Sequence, residues 1–110
     1  MIIVSILRDE SDGVYGFEIK GHANFAKKGQ DIVCAGVSAI TVGTVNAIES
    51  LNGVQMDSAM KDGFLNARLP LGLSSDAKEK SQFLLSAMIV MLQGIEDSYN
   101  KYIKIRDTIN

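Results

Sequence analysis

The 110-residue chain contains only one cysteine, Cys34, and only one histidine, His22. One cysteine cannot form an intrachain disulfide, so the sequence carries no sign of an oxidising compartment. One histidine and one cysteine also cannot complete a closed zinc site, and the histidine-carboxylate spacing of metalloproteases is missing. We therefore expect a protein without disulfide, metal or cofactor.

Basic clusters are also scarce in this chain. The chain has 11 Lys and Arg residues and 13 Asp and Glu residues, which gives a net charge of −2. Its longest basic run is Lys27-Lys28. Nucleic-acid binding normally needs a clustered basic face, so we expect no direct contact with nucleic acid. The glycines do not have the spacing of a phosphate-binding loop that ends in Lys-Ser or Lys-Thr.

The chain also lacks an apolar run long enough to suggest a membrane span. The most lipid-like stretch, residues 83–92, lies between charged flanks and falls well short of the ~18 residues that suggest a membrane span. The apolar start of the chain lacks the basic region and the small-residue cleavage site of a secretory signal. We therefore expect a cytoplasmic protein with no membrane contact, built as a single domain over residues 1–110 around one hydrophobic core.

Residue patterning predicts an α+β domain with the element order ββαββαβ. Alternating, β-branched residues indicate strands that turn residues join into two hairpins, and apolar residues at helical spacing indicate two helices. We expect the two helices to pack with small antiparallel β-sheets. The predicted strands are 2–7, 14–20, 54–60, 64–69 and 101–106, and the predicted helices are 32–51 and 76–98, with Ser75 as N-cap of the second.

Both predicted helices have compositions that require a close neighbour. The first is crowded with small residues, including Gly36 and Gly43, which each cost about 1 kcal/mol relative to Ala and permit close packing. The second is apolar nearly all round from residue 83 to residue 92, so it must be covered on every side. It is predicted to be the central element of the core or part of an oligomer interface.

The segment GHANFAKKGQDIVCAGVS, residues 21–38, holds both His22 and Cys34. His22 follows the second strand, and Cys34 falls in the opening turn of the first helix, where free N–H groups and the helix dipole favour a thiolate. Those N–H groups could also serve as an oxyanion hole. If the loop folds back, the pair has what nucleophilic catalysis requires: an activated sulfur and a base that later protonates a leaving amine.

Asp31 and Cys34 each admit more than one interpretation from the residues alone. Asp31 can be the helix N-cap, accepting N–H bonds from Val33 or Cys34, or it can orient the imidazole of His22. Cys34 can instead be a buried and inert residue, it can belong to a non-enzymatic dimeric binding module, or it can be the reactive thiol of a redox sensor. These alternatives stay open at this level.

The same segment resembles the signature of the Prp family of ribosomal-processing cysteine proteases. The matching positions are Gly21-His22-Ala23, Gly29, Asp31-Ile32-Val33-Cys34-Ala35 and Val37-Ser38. The resemblance implies a bacterial cysteine endopeptidase that removes an N-terminal extension from the large-subunit ribosomal protein bL27, and it implies a homodimer. It also implies that Cys34 is the nucleophile and His22 the general base and acid, with Gly21, Asp31 and Ser38 as supporting candidates.

The loop 23–30 between the two implied catalytic residues is expected to be a lid. Its glycine and short polar residues would allow it to close over a bound peptide. Closure could then decide when His22 meets Cys34, so that the site is organised by its substrate.

Overall fold

The computed structural model describes residues 1–109, and its elements follow the order ββαββαβ. The α+β class and the element order predicted from the sequence are therefore confirmed. The strands are β1 (Ile2–Arg8), β2 (Val14–Lys20), β3 (Asp57–Lys61), β4 (Phe64–Arg68) and β5 (Ile103–Ile109), and the helices are α1 (Ile32–Asn52) and α2 (Ser75–Ser98).

The five strands form one sheet in the order β3-β4-β2-β1-β5. Neighbours from β3 to β1 are antiparallel, whereas β5 pairs in parallel with β1, with Ile2 opposite Ile103. The expectation of several small antiparallel sheets is corrected here. The chain leaves β4, runs through α2 and enters β5 at the far edge, and a helical crossover of this kind is what a parallel strand needs.

Other predicted boundaries shift as well, and the reasons are local. The last strand is Ile103–Ile109 instead of 101–106, because residues 100–102 form a turn after α2. The third strand begins at Asp57 instead of residue 54, because Val54 and Met56 are buried in the core before strand pairing starts. The N-cap of α2 is Ser74 rather than Ser75, since the Ser74 hydroxyl accepts the N–H of Ala77 at 3.1 Å.

The core lies between the sheet and the helices. α2 packs against β2 and β5, and α1 packs against α2. Burial of one large apolar side chain contributes roughly 1.5–3 kcal/mol, so these contacts supply most of the driving force for folding. The largest fully buried apolar side chains are Phe17, Ile6, Ile48, Leu85, Met88, Leu92 and Ile103.

The helices are covered by the chain on one side only. On α2, Phe83 is 75% exposed, Val90 66% and Met91 47%, so this helix is part of the core without being enclosed by it. On α1, Ile32 and Leu51 are exposed as well. A hollow of about 320 Å³ runs between the two helices on this outer side, lined by Ala39, Ile40, Gly43, Thr44, Ala47, Leu84, Ala87 and Met91.

By length and composition, α1 is the one helix among residues 1–109 that could cross a membrane, with a mean hydropathy of 1.6 over its best window. The sequence pattern predicts the apolar run of α2 as the most lipid-like stretch, and the higher hydropathy of α1 corrects that ranking. The mean hydropathy of α1 is higher because its polar residues before Glu49 are all small and uncharged. Core helices of soluble proteins pass the same test, and α1 places Val37 and Ile48 in the core.

Candidate active site

Cys34 lies in the first turn of α1, as the sequence predicts, because Asp31 ends the preceding loop and starts the helix. Asp31 has extended backbone angles, φ −86° and ψ 102°. One carboxylate oxygen, Oδ1, accepts the N–H groups of Val33 and Cys34, each at 3.0 Å. The interpretation of Asp31 as N-cap is therefore confirmed.

The other carboxylate oxygen of Asp31 faces the loop 23–30. This oxygen, Oδ2, accepts the N–H of Phe25 at 2.9 Å and that of Ala26 at 3.3 Å. Burial raises the pKa of Asp31, but the hydrogen bonds from the four backbone N–H groups outweigh burial and lower that pKa below the ordinary value of 3.8. Because backbone donors engage both oxygens, the alternative in which Asp31 orients His22 is disfavoured.

The N–H groups at the start of α1 are not free, contrary to the expectation of unpaired donors around Cys34. Those of Val33 and Cys34 donate to the Asp31 side chain, and that of Ala35 donates to the Asp31 carbonyl at 3.0 Å. An oxyanion hole built from these groups would have to share its donors with Asp31.

His22 lies two residues after Lys20, the last residue of β2, and its place is set by the glycine between them. Gly21 has φ 91°, and a Cβ there would collide with the carbonyl oxygen of Met1, so only glycine fits this bend. The Gly21 N–H donates to the carbonyl of Gly63 at 2.9 Å. The side chain of His22 is 52% exposed, so the imidazole stands on a fixed strand end while remaining open to solvent.

The fold brings His22 and Cys34 to the same hollow, whose volume is about 230 Å³. The backbone N–H of Ala23, the residue after His22, donates to the sulfur of Cys34 at 3.4 Å. The walls of this hollow are mainly apolar and include Ile2, Ile19, Val37, Val42, Met60 and Leu65. His22 and Cys34 also line a second, polar hollow of about 290 Å³, together with Asn24, Lys28, Asp31 and Asp62.

The supporting candidates from the sequence lie close to this pair. Ser38 follows Cys34 by one helical turn on α1, and its exposed side chain lines the apolar hollow. Gly21 lines the same hollow, and Asp31 lines the polar one. The structure thus gathers all five predicted residues around one cleft.

The loop 23–30 is fastened to the rest of the protein at its first half. The ring of Phe25 meets those of Tyr99 and Tyr102 edge to face, with centroids 5.6 Å and 5.1 Å away. These tyrosines lie between α2 and β5, and the Phe25 N–H is held by Asp31. In this conformation the loop is anchored by an aromatic cluster on one side and by the helix N-cap on the other.

Sequence reasoning did not find two residues beside His22, Asp62 and Gly63. They form the turn between β3 and β4, which the sequence identified only as hairpin chemistry. Asp62 Oδ1 lies 3.9 Å from His22 Nε2, and a Cβ at Gly63 would lie 2.8 Å from the same nitrogen. The strand order could have revealed them, since the end of β2 and the start of β4 must be neighbours once the two strands pair.

Other parts of the described chain offer less chemistry. Among residues 1–109, no group of three or more His, Cys, Asp or Glu residues could hold a metal ion. A larger hollow, about 640 Å³, lies at the other end of α1, between Leu51 and the charged start of α2, and neither His22 nor Cys34 lines it. The chemistry of nucleophile and base is therefore confined to the smaller cleft.

Comparison with known proteins agrees with the sequence signature. The family model of the cysteine protease Prp matches residues 1–104. The ribosomal processing cysteine protease Prp of Bacillus subtilis (strain 168) is 40% identical over 111 residues, which cover 99% of each chain. The protein of the same name from Staphylococcus aureus (strain Mu50) is 34% identical over 105 residues, which cover 96% of this chain and 97% of the relative.

Solved structures give the same result for the fold. The ribosomal processing protease Prp from S. aureus in complex with a covalently linked product peptide superposes with a TM-score of 0.86 at 35% identity, over 98% of this chain and 100% of the other. The same protein with a substrate peptide gives a TM-score of 0.82 at 34% identity, over the same shares of the two chains. The protein described here therefore belongs to the Prp family and is a cysteine protease.

Proposed function

We propose that this protease is an endopeptidase whose nucleophile is Cys34 and whose general base and acid is His22. The observation that carries the proposal is that the chain has one thiol and one imidazole, and both line the same hollow. A cysteine protease needs a sulfur nucleophile, and Cys34 is the only residue that can supply it. The exposed ring of His22 is the available base beside it.

The reaction runs through two displacements at one carbonyl carbon. His22 takes the proton of the Cys34 thiol, the sulfur attacks the scissile carbonyl, and the carbon-nitrogen bond breaks as His22 gives its proton to the leaving amine. The resulting thioester is then attacked by water, which loses a proton to His22. Departure of the sulfur, which regains that proton, releases the new carboxyl end and restores the enzyme.

The supporting residues act on the geometry of this pair. Gly21 supplies the bend that places His22 at the end of β2. Asp31 starts α1 beneath Cys34 and fastens the loop that follows His22. Ser38 lines the apolar hollow one turn after the nucleophile, where it can contact a bound peptide.

The proposed substrate is the N-terminal extension of the ribosomal protein bL27. The relatives from B. subtilis and S. aureus are named ribosomal processing proteases, and the S. aureus protein has been solved with a substrate peptide. The apolar wall beside Cys34 suits the apolar segment, ending in aromatic residues, after which the family resemblance places the cut. Such a substrate is made in the cytoplasm, so we place the protease there, as a single catalytic domain over residues 1–110.

The proposed working form is a homodimer joined through the outer sides of α1 and α2. Exposed apolar side chains such as Val90 and Phe83 flank the hollow between these helices, which is lined by small residues such as Gly43 and Ala47. A second copy would cover this apolar surface, which the chain leaves open. This arrangement also fits the prediction that α2 belongs to an oligomer interface.

A peptide spanning the extension junction of the host's own bL27 tests the catalytic proposal. The unaltered protein should cut it at one bond, and Cys34→Ala and His22→Ala should each leave it intact, as read by mass spectrometry. Ser50→Ala, an exposed change on α1 away from the cleft, is the control that should cut normally. Cleavage by Cys34→Ala at the normal rate would refute the role of Cys34 as nucleophile. No cleavage by a folded native dimer would refute the proposal as a whole and favour a non-enzymatic, ribosome-associated binding module.

The dimer has its own test. Val90→Glu places a charge on the outer side of α2 and should convert a dimer into a monomer in sedimentation velocity. Leu71→Glu introduces the same charge at an apolar side chain that is fully exposed outside the helices, so it should leave the dimer intact. A native protein that sediments as a monomer at micromolar concentration would contradict the proposed assembly.

A further inference from the structure

One carboxylate faces the imidazole of His22, and it belongs to neither strand end nor helix cap. Asp62, in the turn between β3 and β4, places Oδ1 3.9 Å from His22 Nε2 and Oδ2 3.9 Å from the Nζ of Lys28 in the loop. Both Asp62 and His22 line the apolar and the polar hollow beside Cys34. The carboxylate therefore stands between the base and the loop that borders the cleft.

The backbone holds this turn against the imidazole. The carbonyl of Gly63 accepts the N–H of Gly21, the residue before His22, and Lys20 pairs with Phe64 in the sheet. Gly63 has φ 72°, and the absence of a side chain lets its Cα approach the ring, because a Cβ would lie 2.8 Å from Nε2. Strand pairing thus fixes the backbone of the turn, and with it the Cα of Asp62, beside His22.

The charges around His22 single out Asp62 as its partner. Asp31 also lines the polar hollow, but its two oxygens already accept four backbone N–H groups. Asp62 is 72% exposed, and an ion pair at such a site adds little to the stability of the fold. At 3.9 Å the contact is longer than a direct hydrogen bond, and catalytic hydrogen bonds in free enzymes often shorten only when substrate binds.

We propose that Asp62 is a positioning residue for His22, a role that rests on His22 being the catalytic base. Its carboxylate engages Nε2 of the ring, which fixes the ring's orientation and leaves the other nitrogen, Nδ1, to exchange a proton with Cys34. A third group that orients the base in this way is a recurrent element of nucleophilic sites. Lys28 shares the same carboxylate, so the loop and the base are held by one side chain.

Kinetics with the bL27 peptide give the first test. Asp62→Asn should lower kcat roughly 10- to 100-fold with little change in KM. Displacing a catalytic group by about 1 Å can lower the reaction rate about 100-fold. Asp62→Glu keeps the charge and should recover part of the rate. Asp57→Asn, an exposed aspartate on the same hairpin, is the matched control and should keep the native kcat.

A spectroscopic test separates positioning from general damage to the site. His22 is the only histidine, so its two ring nitrogens give unambiguous ¹⁵N signals, which can be recorded on the inactive Cys34→Ala background. Asp62→Asn should change the relative populations of the two imidazole tautomers, in which the proton is on Nε2 or on Nδ1. Asp57→Asn should leave these populations unchanged. Unchanged ring signals in Asp62→Asn would overturn the proposal, whatever happens to the rate, and so would a native kcat.

These outcomes also distinguish this inference from the proposed function. Normal cleavage by His22→Ala would refute the catalytic role of His22 and the positioning role with it. An inactive His22→Ala together with a fully active Asp62→Asn would refute the positioning role alone. Equal thermal unfolding midpoints of Asp62→Asn and Asp57→Asn are expected, and a selective loss of stability at Asp62 would mark its role as structural and contradict the proposal.

Discussion

The backbone N–H of Ala23 points at the sulfur of Cys34, with 3.4 Å between the nitrogen and the sulfur. Ala23 is only 3% exposed, and it immediately follows His22 in the chain. The contact therefore ties the end of β2 to the start of α1, through a backbone donor and a side-chain sulfur that is partly exposed. The Ala23 N–H thereby holds the sulfur of Cys34 beside the segment that carries His22.

The two oxygens of Asp31 serve different partners, so two substitutions should separate their effects. Asp31→Ala removes the N-cap and should lower the free energy of unfolding by about 1 kcal/mol. Asp31→Asn can still cap the helix through its amide oxygen, but its amide nitrogen cannot accept the N–H groups of Phe25 and Ala26. It should keep most of the stability and lose peptide cleavage. Chemical denaturation and cleavage assays check both, and full activity of Asp31→Asn would contradict a role for the loop contact.

Acid should weaken the link between α1 and the loop. The pKa of Asp31 is lower in the folded protein than its ordinary value of 3.8, so the folded state favours the ionised form. The corresponding stability is fully present above pH 3.8 and is lost as the pH falls through the lowered folded value. Denaturation of the native protein and of Asp31→Asn at pH 7 and below pH 3.8 measures this, and their stability difference should shrink in acid. A difference independent of pH would contradict the assignment.

The space at Gly63 can be tested against a matched glycine. Gly53, which caps the end of α1, has φ 67° and no neighbour within 4 Å of a built Cβ, whereas Gly63 has φ 72° and meets His22. Gly53→Ala and Gly63→Ala should both cost about 1 kcal/mol, because each forces alanine into the left-handed region. Only Gly63→Ala should also displace the imidazole and abolish most of the cleavage of the bL27 peptide. Equal activities of the two variants would show that the contact with His22 is irrelevant to catalysis.

The aromatic anchor of the loop should control its mobility. Phe25→Ala removes two edge-to-face contacts, each worth about 0.5–1.5 kcal/mol, and should raise amide hydrogen exchange across residues 23–30. Leu71→Ala shortens an apolar side chain that is fully exposed outside the helices and is the control, with unchanged exchange in the loop. If the loop is a lid, the bL27 peptide bound to Cys34→Ala should slow exchange at residues 23–30. Equal exchange with and without peptide would exclude the lid.

The sequence determined the local features of this protein. Alternating β-branched residues and helical spacing gave the seven elements in order, because side-chain period follows directly from backbone geometry. Asp31 could be identified as an N-cap, since capping needs only residues within one turn. The placement of Cys34 in the opening turn of α1 followed from the same local rule, and the signature of residues 21–38 pointed to the family that the comparisons show.

The tertiary structure decided everything that depends on pairing between distant segments. The sequence did not indicate that β5 would pair in parallel beside β1, because strand neighbours are chosen by packing and crossover rather than by local pattern. The same pairing of β2 with β4 brings Asp62 and Gly63 to His22, although some 40 residues separate them in the chain. Composition made α1 and α2 apolar, but α2 packs on the sheet and α1 packs on α2, so the fold alone determines which of their apolar residues stay exposed.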